Sequence, residues 1–139
     1  MKPAFIIDSS VALTWCFPDE ATPHTRELLQ RMASEAATVP VWWFLEISNV
    51  LALAQRKGRI TAAQADEFIT LIESFDLEVH DYDASRIFHH VLPLCRTHQL
   101  TSYDALYLEL ARSLQLPLAT LDIPLRKAAS ALGVQLLGK

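Results

Sequence analysis

Glycine is scarce in this chain, at three of 139 residues, and no stretch reads as low-complexity. With 51% hydrophobic and 20% charged residues, that scarcity excludes a disordered tail, a collagen-like fibre and a low-complexity array. Long apolar runs are missing as well. None approaches the roughly 20 residues of a membrane-spanning helix. The N-terminal run Ala4-Phe5-Ile6-Ile7 stops at Asp8, too short for the core of a secretory signal. The two cysteines, Cys16 and Cys95, have neither metal spacing nor the density of a secreted disulfide scaffold. They read as small buried hydrophobes, and a reducing cytoplasm is the expected compartment. Positive charge is also short: 12 Lys and Arg against 16 Asp and Glu give a net charge of −4. Proteins that hold nucleic acid through bulk charge are usually basic, so composition alone leans away from such a partner.

What the chain does have is alternation. Apolar runs and helical patterns follow one another along residues 1–139, with no linker and no repeat. This predicts a single α/β domain with a central, mainly parallel sheet flanked by helices. Strands are expected at residues 4–7, 38–39, 77–80, 117–121 and 134–137. Helices are expected at 22–34, 41–57, 61–75, 83–98, 101–114 and 124–132. Gly58 after Arg56 and Lys57 marks the end of the second of these. Thr61 and Gln64 stand at capping-box spacing at the start of the third.

Open parallel sheets place their sites at the carboxyl ends of the strands. Asp8 follows the first expected strand and Asp122 follows the run Leu118-Ala119-Thr120-Leu121, so both fall on one edge. Asp104 lies in the first turn of a helix, and Glu46 lies mid-helix. A plain structural role is open to three of them. Asp8 and Asp122 precede helices and can serve as N-caps, with Pro124 well placed behind Asp122. Thr101 and Asp104 match a capping box. Glu46 is different. Between Val41 and Ala54 the only other polar residues are Ser48 and Asn49, which reads as a buried helix. A buried carboxylate needs a partner. An arginine from elsewhere is one answer, and a hard metal ion is the other, with Asn49 three residues on to support it. Four carboxylates without histidine or cysteine suit Mg²⁺ or Mn²⁺. Such ions activate water and steady both oxygens of an in-line phosphodiester hydrolysis.

These residues resemble the motifs of the PIN-domain superfamily and, within it, of the VapC toxins of bacterial toxin–antitoxin pairs. Ile6-Ile7-Asp8-Ser9-Ser10-Val11 resembles the opening motif, and Glu46-Ile47-Ser48-Asn49-Val50-Leu51 the helical Glu motif. Ser102-Tyr103-Asp104-Ala105-Leu106-Tyr107-Leu108 resembles the third-acid motif, the most specific of the set. Thr120-Leu121-Asp122, with Leu125 and Leu132-Gly133-Val134, resembles the C-terminal motif. Ser10 stands where many members carry Asn. The resemblance implies a PIN-like three-layer α/β/α fold and a Mg²⁺- or Mn²⁺-dependent endoribonuclease that cuts selected RNA, often tRNA or rRNA. It implies homodimers and a VapB-like antitoxin. It carries Asp8, Glu46, Asp104 and Asp122 over as catalytic acids and metal ligands, and Ser10 and Thr120 as hydroxyls that support them.

The remaining features divide as follows. Trp42 and Trp43 are adjacent on a helix, so both cannot point inward, and one of them is expected to face a dimer partner or the antitoxin. Arg126 and Lys127 follow Asp122 and are the expected RNA-phosphate contacts, while Arg56, Lys57 and Arg59 read as a solvated helix end. The five histidines have no metal-like spacing apart from the adjacent His89 and His90, whose rings diverge on a helix. Two rival functions remain: a non-catalytic PIN-like module that only binds a partner, and a receiver-type phosphotransfer domain. The second needs an adjacent acid pair after the first strand, but Ser9 follows Asp8; no lysine ends a late strand, and Glu46 would have no part to play.

Overall fold

The computed structural model describes residues 2–139. Five strands, β1 (Pro3–Ile7), β2 (Ala36–Pro40), β3 (Leu77–His80), β4 (Leu118–Ala119) and β5 (Leu136–Leu137), form one sheet. Their order is β3-β2-β1-β4-β5, and every pairing is parallel. β1 is central, with Ile6 paired to both Thr38 and Leu118. Phe5, Ile6 and Ile7 are fully buried, as a strand covered on both faces requires. The chain runs outward from β1 to β2 and β3, then returns to β1's other side for β4. The order therefore reverses between β1 and β4, and there the crevice of a doubly wound sheet opens.

Helices fill the crossovers: α1 (Ser9–Leu13), a 3₁₀ turn (Pro18–Glu20) and α2 (Pro23–Arg31) between β1 and β2; α3 (Trp42–Arg56) and α4 (Ala62–Glu73) between β2 and β3. Then come α5 (Ala84–Arg86), a π-helical turn (Ile87–Val91), α6 (Leu92–His98) and α7 (Ser102–Leu114) before β4, and α8 (Ile123–Ala131) before β5. This is the α/β/α arrangement read from the sequence, with β4 and β5 shorter than expected.

Local signals explain several boundaries. Thr61 and Gln64 make both reciprocal bonds of the capping box on α4. Gly58, at φ +71°, and Arg59 bond back to Gln55 and Ala54 and close the end of α3. The helix expected over 83–98 is widened in its middle. Pro93 accounts for that: it has no N–H for the carbonyl of His89, and its ring crowds that oxygen.

α3 is not buried all round, contrary to expectation. Trp43, Ile47, Leu51 and Ala54 form one buried stripe, while Leu45 is 65% exposed and Phe44 and Leu53 are also open. Composition showed an apolar helix, but only one of its faces has a covering element in this chain.

Candidate functional site

The carboxyl edge at the β1–β4 switch point collects the site. Asp8 comes directly after β1 and occupies the N-cap position of α1, yet its side chain makes no cap bond. It is 3% exposed. Ser10 Oγ donates to Asp8 Oδ2 at 2.9 Å, and Thr120 Oγ1 donates to the same oxygen at 2.6 Å. Each hydroxyl also accepts a backbone N–H, Ser10 from Leu121 and Thr120 from Asp122. The two side chains thus tie the end of β1 to the end of β4 and fix the carboxylate between them. Burial raises the Asp8 pKa, the two hydroxyl bonds pull it back, and the charge of Asp122 raises it further.

Asp104 lies in the first turn of α7. Thr101 Oγ1 accepts from the Asp104 N–H at 3.2 Å, which completes half of the expected capping box. The reciprocal bond, from the Thr101 N–H to the Asp104 carboxyl, is not formed among the described residues. Burial, then the charges of Asp122 and Asp8, push the Asp104 pKa up to about 6. Asp122 does serve as a cap: its Oδ2 accepts from Leu125 N at 2.9 Å at the start of α8. The structural role read for Asp122 is therefore met, and Oδ2 is the oxygen that meets it.

Glu46 projects from α3 toward the same group. Its partner is neither an arginine nor a lysine. The hydroxyl of Tyr107, on α7, donates to Glu46 Oε1. Burial, then the charges of Asp8 and Asp104, raise Glu46 to about 7, with the Tyr107 bond acting the other way. Tyr107 is fully buried one turn after Asp104 and was missed in the sequence. The available signal was that a buried tyrosine hydroxyl needs a polar partner.

The other expected residues separate. Asn49 is exposed and makes no side-chain hydrogen bond among the described residues, so it does not stand behind Glu46. Arg126 Nη1 donates to the carbonyls of Thr120 and Leu137 at 2.7 and 2.9 Å, which commits it to holding β4 and β5. Lys127 is exposed. Instead Arg59 reaches the site. It lines a cleft of about 620 Å³ with Ser10, Thr14, Leu121 and Asp122, lies over the Phe17 ring, and pairs with Asp19 and Glu20.

Electrostatically the group is one-sided. Asp8, Glu46 and Asp104 all have raised pKa values, first through burial and then through neighbouring carboxylate charge, and among the described residues neither they nor Asp122 pairs with Lys, Arg or His. All donors are oxygens, which matches the chemistry of a hard divalent cation. No three His, Cys, Asp or Glu side chains are yet drawn close enough to hold an ion among the described residues.

The parallel α/β sheet with acids at its carboxyl edge defines the class of protein. The family follows from comparison: the PIN domain model matches residues 5–131, and the chain belongs to that family. Its members are generally nucleases. No curated protein matches. Among solved structures, PAE2754 from Pyrobaculum aerophilum is similar over 96% of this chain and 83% of that chain, with TM-score 0.71 and 23% identity. VapBC2 from Rickettsia felis, bound to a DNA fragment from its promoter, covers 96% of both chains at TM-score 0.67 and 12% identity. FitAcB from Neisseria gonorrhoeae also covers 96% of both, at TM-score 0.65 and 15% identity. At these identities the likeness is one of fold.

Proposed function

We propose that the chain is a divalent-metal-dependent endoribonuclease acting as the toxin of a VapBC-like toxin–antitoxin pair, in the cytoplasm. One observation carries this reading: Asp8, Glu46 and Asp104 at the switch point of a PIN fold have raised pKa values, and no Lys, Arg or His pairs with them among the described residues. Asp8, Asp104, Glu46 and Asp122 would hold Mg²⁺ or Mn²⁺, and the bound ion supplies water activation and charge for phosphodiester hydrolysis. The residues of the chain do the rest. Ser10 and Thr120 keep Asp8 in one rotamer. Tyr107 orients Glu46 through its hydroxyl. Arg59, which lines the cleft, offers positive charge for RNA phosphates, and the exposed Lys127 is a second candidate.

RNA, of the tRNA or rRNA class, is the proposed substrate. A VapB-like antitoxin and a second copy of the chain are the proposed partners. Beside VapBC2 and FitAcB, a third similar structure is a toxin–antitoxin complex from Klebsiella pneumoniae. The exposed Phe44, Leu45, Leu53, Ile69 and Val79 give such partners apolar surface. No helix among the described residues is long and apolar enough to cross a membrane.

The test is cleavage of tRNA and rRNA with Mg²⁺, Mn²⁺ or EDTA, comparing Asp8→Asn and Asp104→Asn with the parent. Metal-dependent cutting that both substitutions abolish supports the reading. Equal cutting by all three proteins overturns the site. A second reading, a non-catalytic partner-binding module, draws on the absence of a closed ligand group. Metal titration by calorimetry separates the two, since such a module takes up no divalent ion.

A further inference from the structure

Beside the acids lies a small cavity that the proposed hydrolysis does not use. It measures about 120 Å³ and is lined by Trp42, Ile87, Val91, Ser102, Tyr103 and Leu106. That is the volume of about four water molecules, or of one flat ring. No charged side chain lines it, so it suits neither a phosphate nor a metal ion. Two of its walls are aromatic, and two residues, Ser102 and Tyr103, bring hydroxyls.

Its place is set by the same helices that place the acids. Trp42 precedes Glu46 by four residues on α3, one turn away on the same face. Tyr103 is adjacent to Asp104, and Tyr107, one turn on, holds Glu46. The far wall comes from the π-helical turn, Ile87 and Val91. Widened turns of that kind recur at functional sites. The two tryptophans divide as neighbours on a helix must: Trp43 is fully buried, whereas Trp42 is only partly covered and faces the cavity. Tyr103 is 54% exposed, an aromatic ring held in the open at the mouth of the site.

We propose that this cavity receives one unpaired base of the RNA, stacked on Trp42 and Tyr103, and so positions the neighbouring phosphodiester over the acids. The proposal rests on the nuclease reading given above. Stacking on aromatic rings is how single strands are held without reliance on positive charge. It gives an acidic chain a grip on RNA. The Ser102 hydroxyl supplies a donor and an acceptor for the base edge, while the Tyr103 ring supplies the stacking face.

The experiment uses 2′-O-methyl RNA octamers, which are not cut, in the presence of Ca²⁺: oligo-A, oligo-C and oligo-U, and an abasic octamer with the same backbone. Binding is followed by fluorescence anisotropy and by tryptophan quenching. The base-bearing octamers are expected to bind about tenfold to a hundredfold more tightly than the abasic one and to quench emission. Tyr103→Ala removes most of that difference and leaves abasic binding unchanged, while Tyr103→Phe keeps the difference. Trp42→Phe removes the quench. Far-UV circular dichroism confirms that each variant is folded. Equal binding of base-bearing and abasic octamers, including no binding of either, overturns the proposal and leaves the cavity to a protein partner. So does a Tyr103→Ala loss that is the same for both. The two readings fail separately. Base-dependent binding without tRNA or rRNA cleavage by the parent defeats the nuclease reading alone, and cleavage with base-blind binding defeats the cavity alone.

Discussion

Glu46→Gln is expected to stabilise the metal-free protein above neutral pH. The parent carries this carboxylate half-buried, with Asp8 and Asp104 acting on it and its pKa pushed up to about 7. An acid whose folded pKa is raised costs nothing while it stays protonated. Its penalty grows as pH rises from the unfolded value, 4.5, to the folded one, and is complete above it. Taken whole, that displacement corresponds to about 3.4 kcal/mol. Water still reaches the group, and screening brings the expected gain to about 1.5–2 kcal/mol. The Gln side chain keeps an oxygen for the Tyr107 hydroxyl, so the packing is preserved while the charge is lost. Urea unfolding in EDTA at pH 5 and pH 8 reads the effect. The parent should lose stability between the two pH values. The variant should lose less and should unfold at about 1 M higher urea at pH 8. Mn²⁺ at pH 8 should narrow the gap by neutralising the parent's acids. A variant with the parent's pH dependence, or one weaker than the parent at pH 8, would refute the claim that these acids repel.

Tyr107→Phe removes the donor to Glu46 Oε1, so the Glu46 pKa rises further and the pH profile of RNA cleavage should move to higher pH. Its fluorescence-monitored unfolding should show a loss of about 1–3 kcal/mol. Arg126→Met frees the carbonyls of Thr120 and Leu137; stability should fall by about 1–3 kcal/mol in urea, with cleavage per folded molecule nearly unchanged. Arg59→Ala should weaken RNA binding and reduce the slope of log affinity against log salt by about 1, measured by anisotropy at several salt concentrations. Unaltered slopes would exclude Arg59 from phosphate contact.

The positions of Asp8 and Asp122 were legible because a strand end is fixed by the change from an apolar run to a polar residue. Ser10 and Thr120 came only from the resemblance to the PIN motifs, and both hydroxyls donate to Asp8. The surroundings of Glu46 were not legible. An apolar helix reads the same whether one side or all sides are covered, and the covering elements come from distant parts of the chain. Hence the expected buried helix proved to have an open face, and Glu46, for which an arginine or a metal ion was the partner weighed, is bonded by the Tyr107 hydroxyl 61 residues away. Arg126 was misplaced for a similar reason. Its spacing after Asp122 is that of a phosphate contact, but the carbonyls it serves depend on where β5 docks, and a two-residue strand leaves little trace in a sequence. The widened turn at 87–91 had a visible cause in Pro93, yet its use as a cavity wall arises only when α7 packs beside it.

The same reasoning resolves the charge balance. A net charge of −4 argues against RNA only if the acids are spread over the surface. Here Asp8, Glu46, Asp104 and Asp122 gather at the carboxyl side of the sheet, and burial together with neighbouring carboxylate charge raises the pKa values of Asp8, Glu46 and Asp104. Repulsion of that kind is a standing cost in a protein that has only to fold. Ser10, Thr120 and Tyr107 spend hydrogen bonds to hold Asp8 and Glu46 in place, where solvent-facing rotamers would lower the cost. On the proposed reading, that cost is offset when a cation binds, and an anionic phosphodiester chain then approaches the same edge, held by stacking where lysines are few.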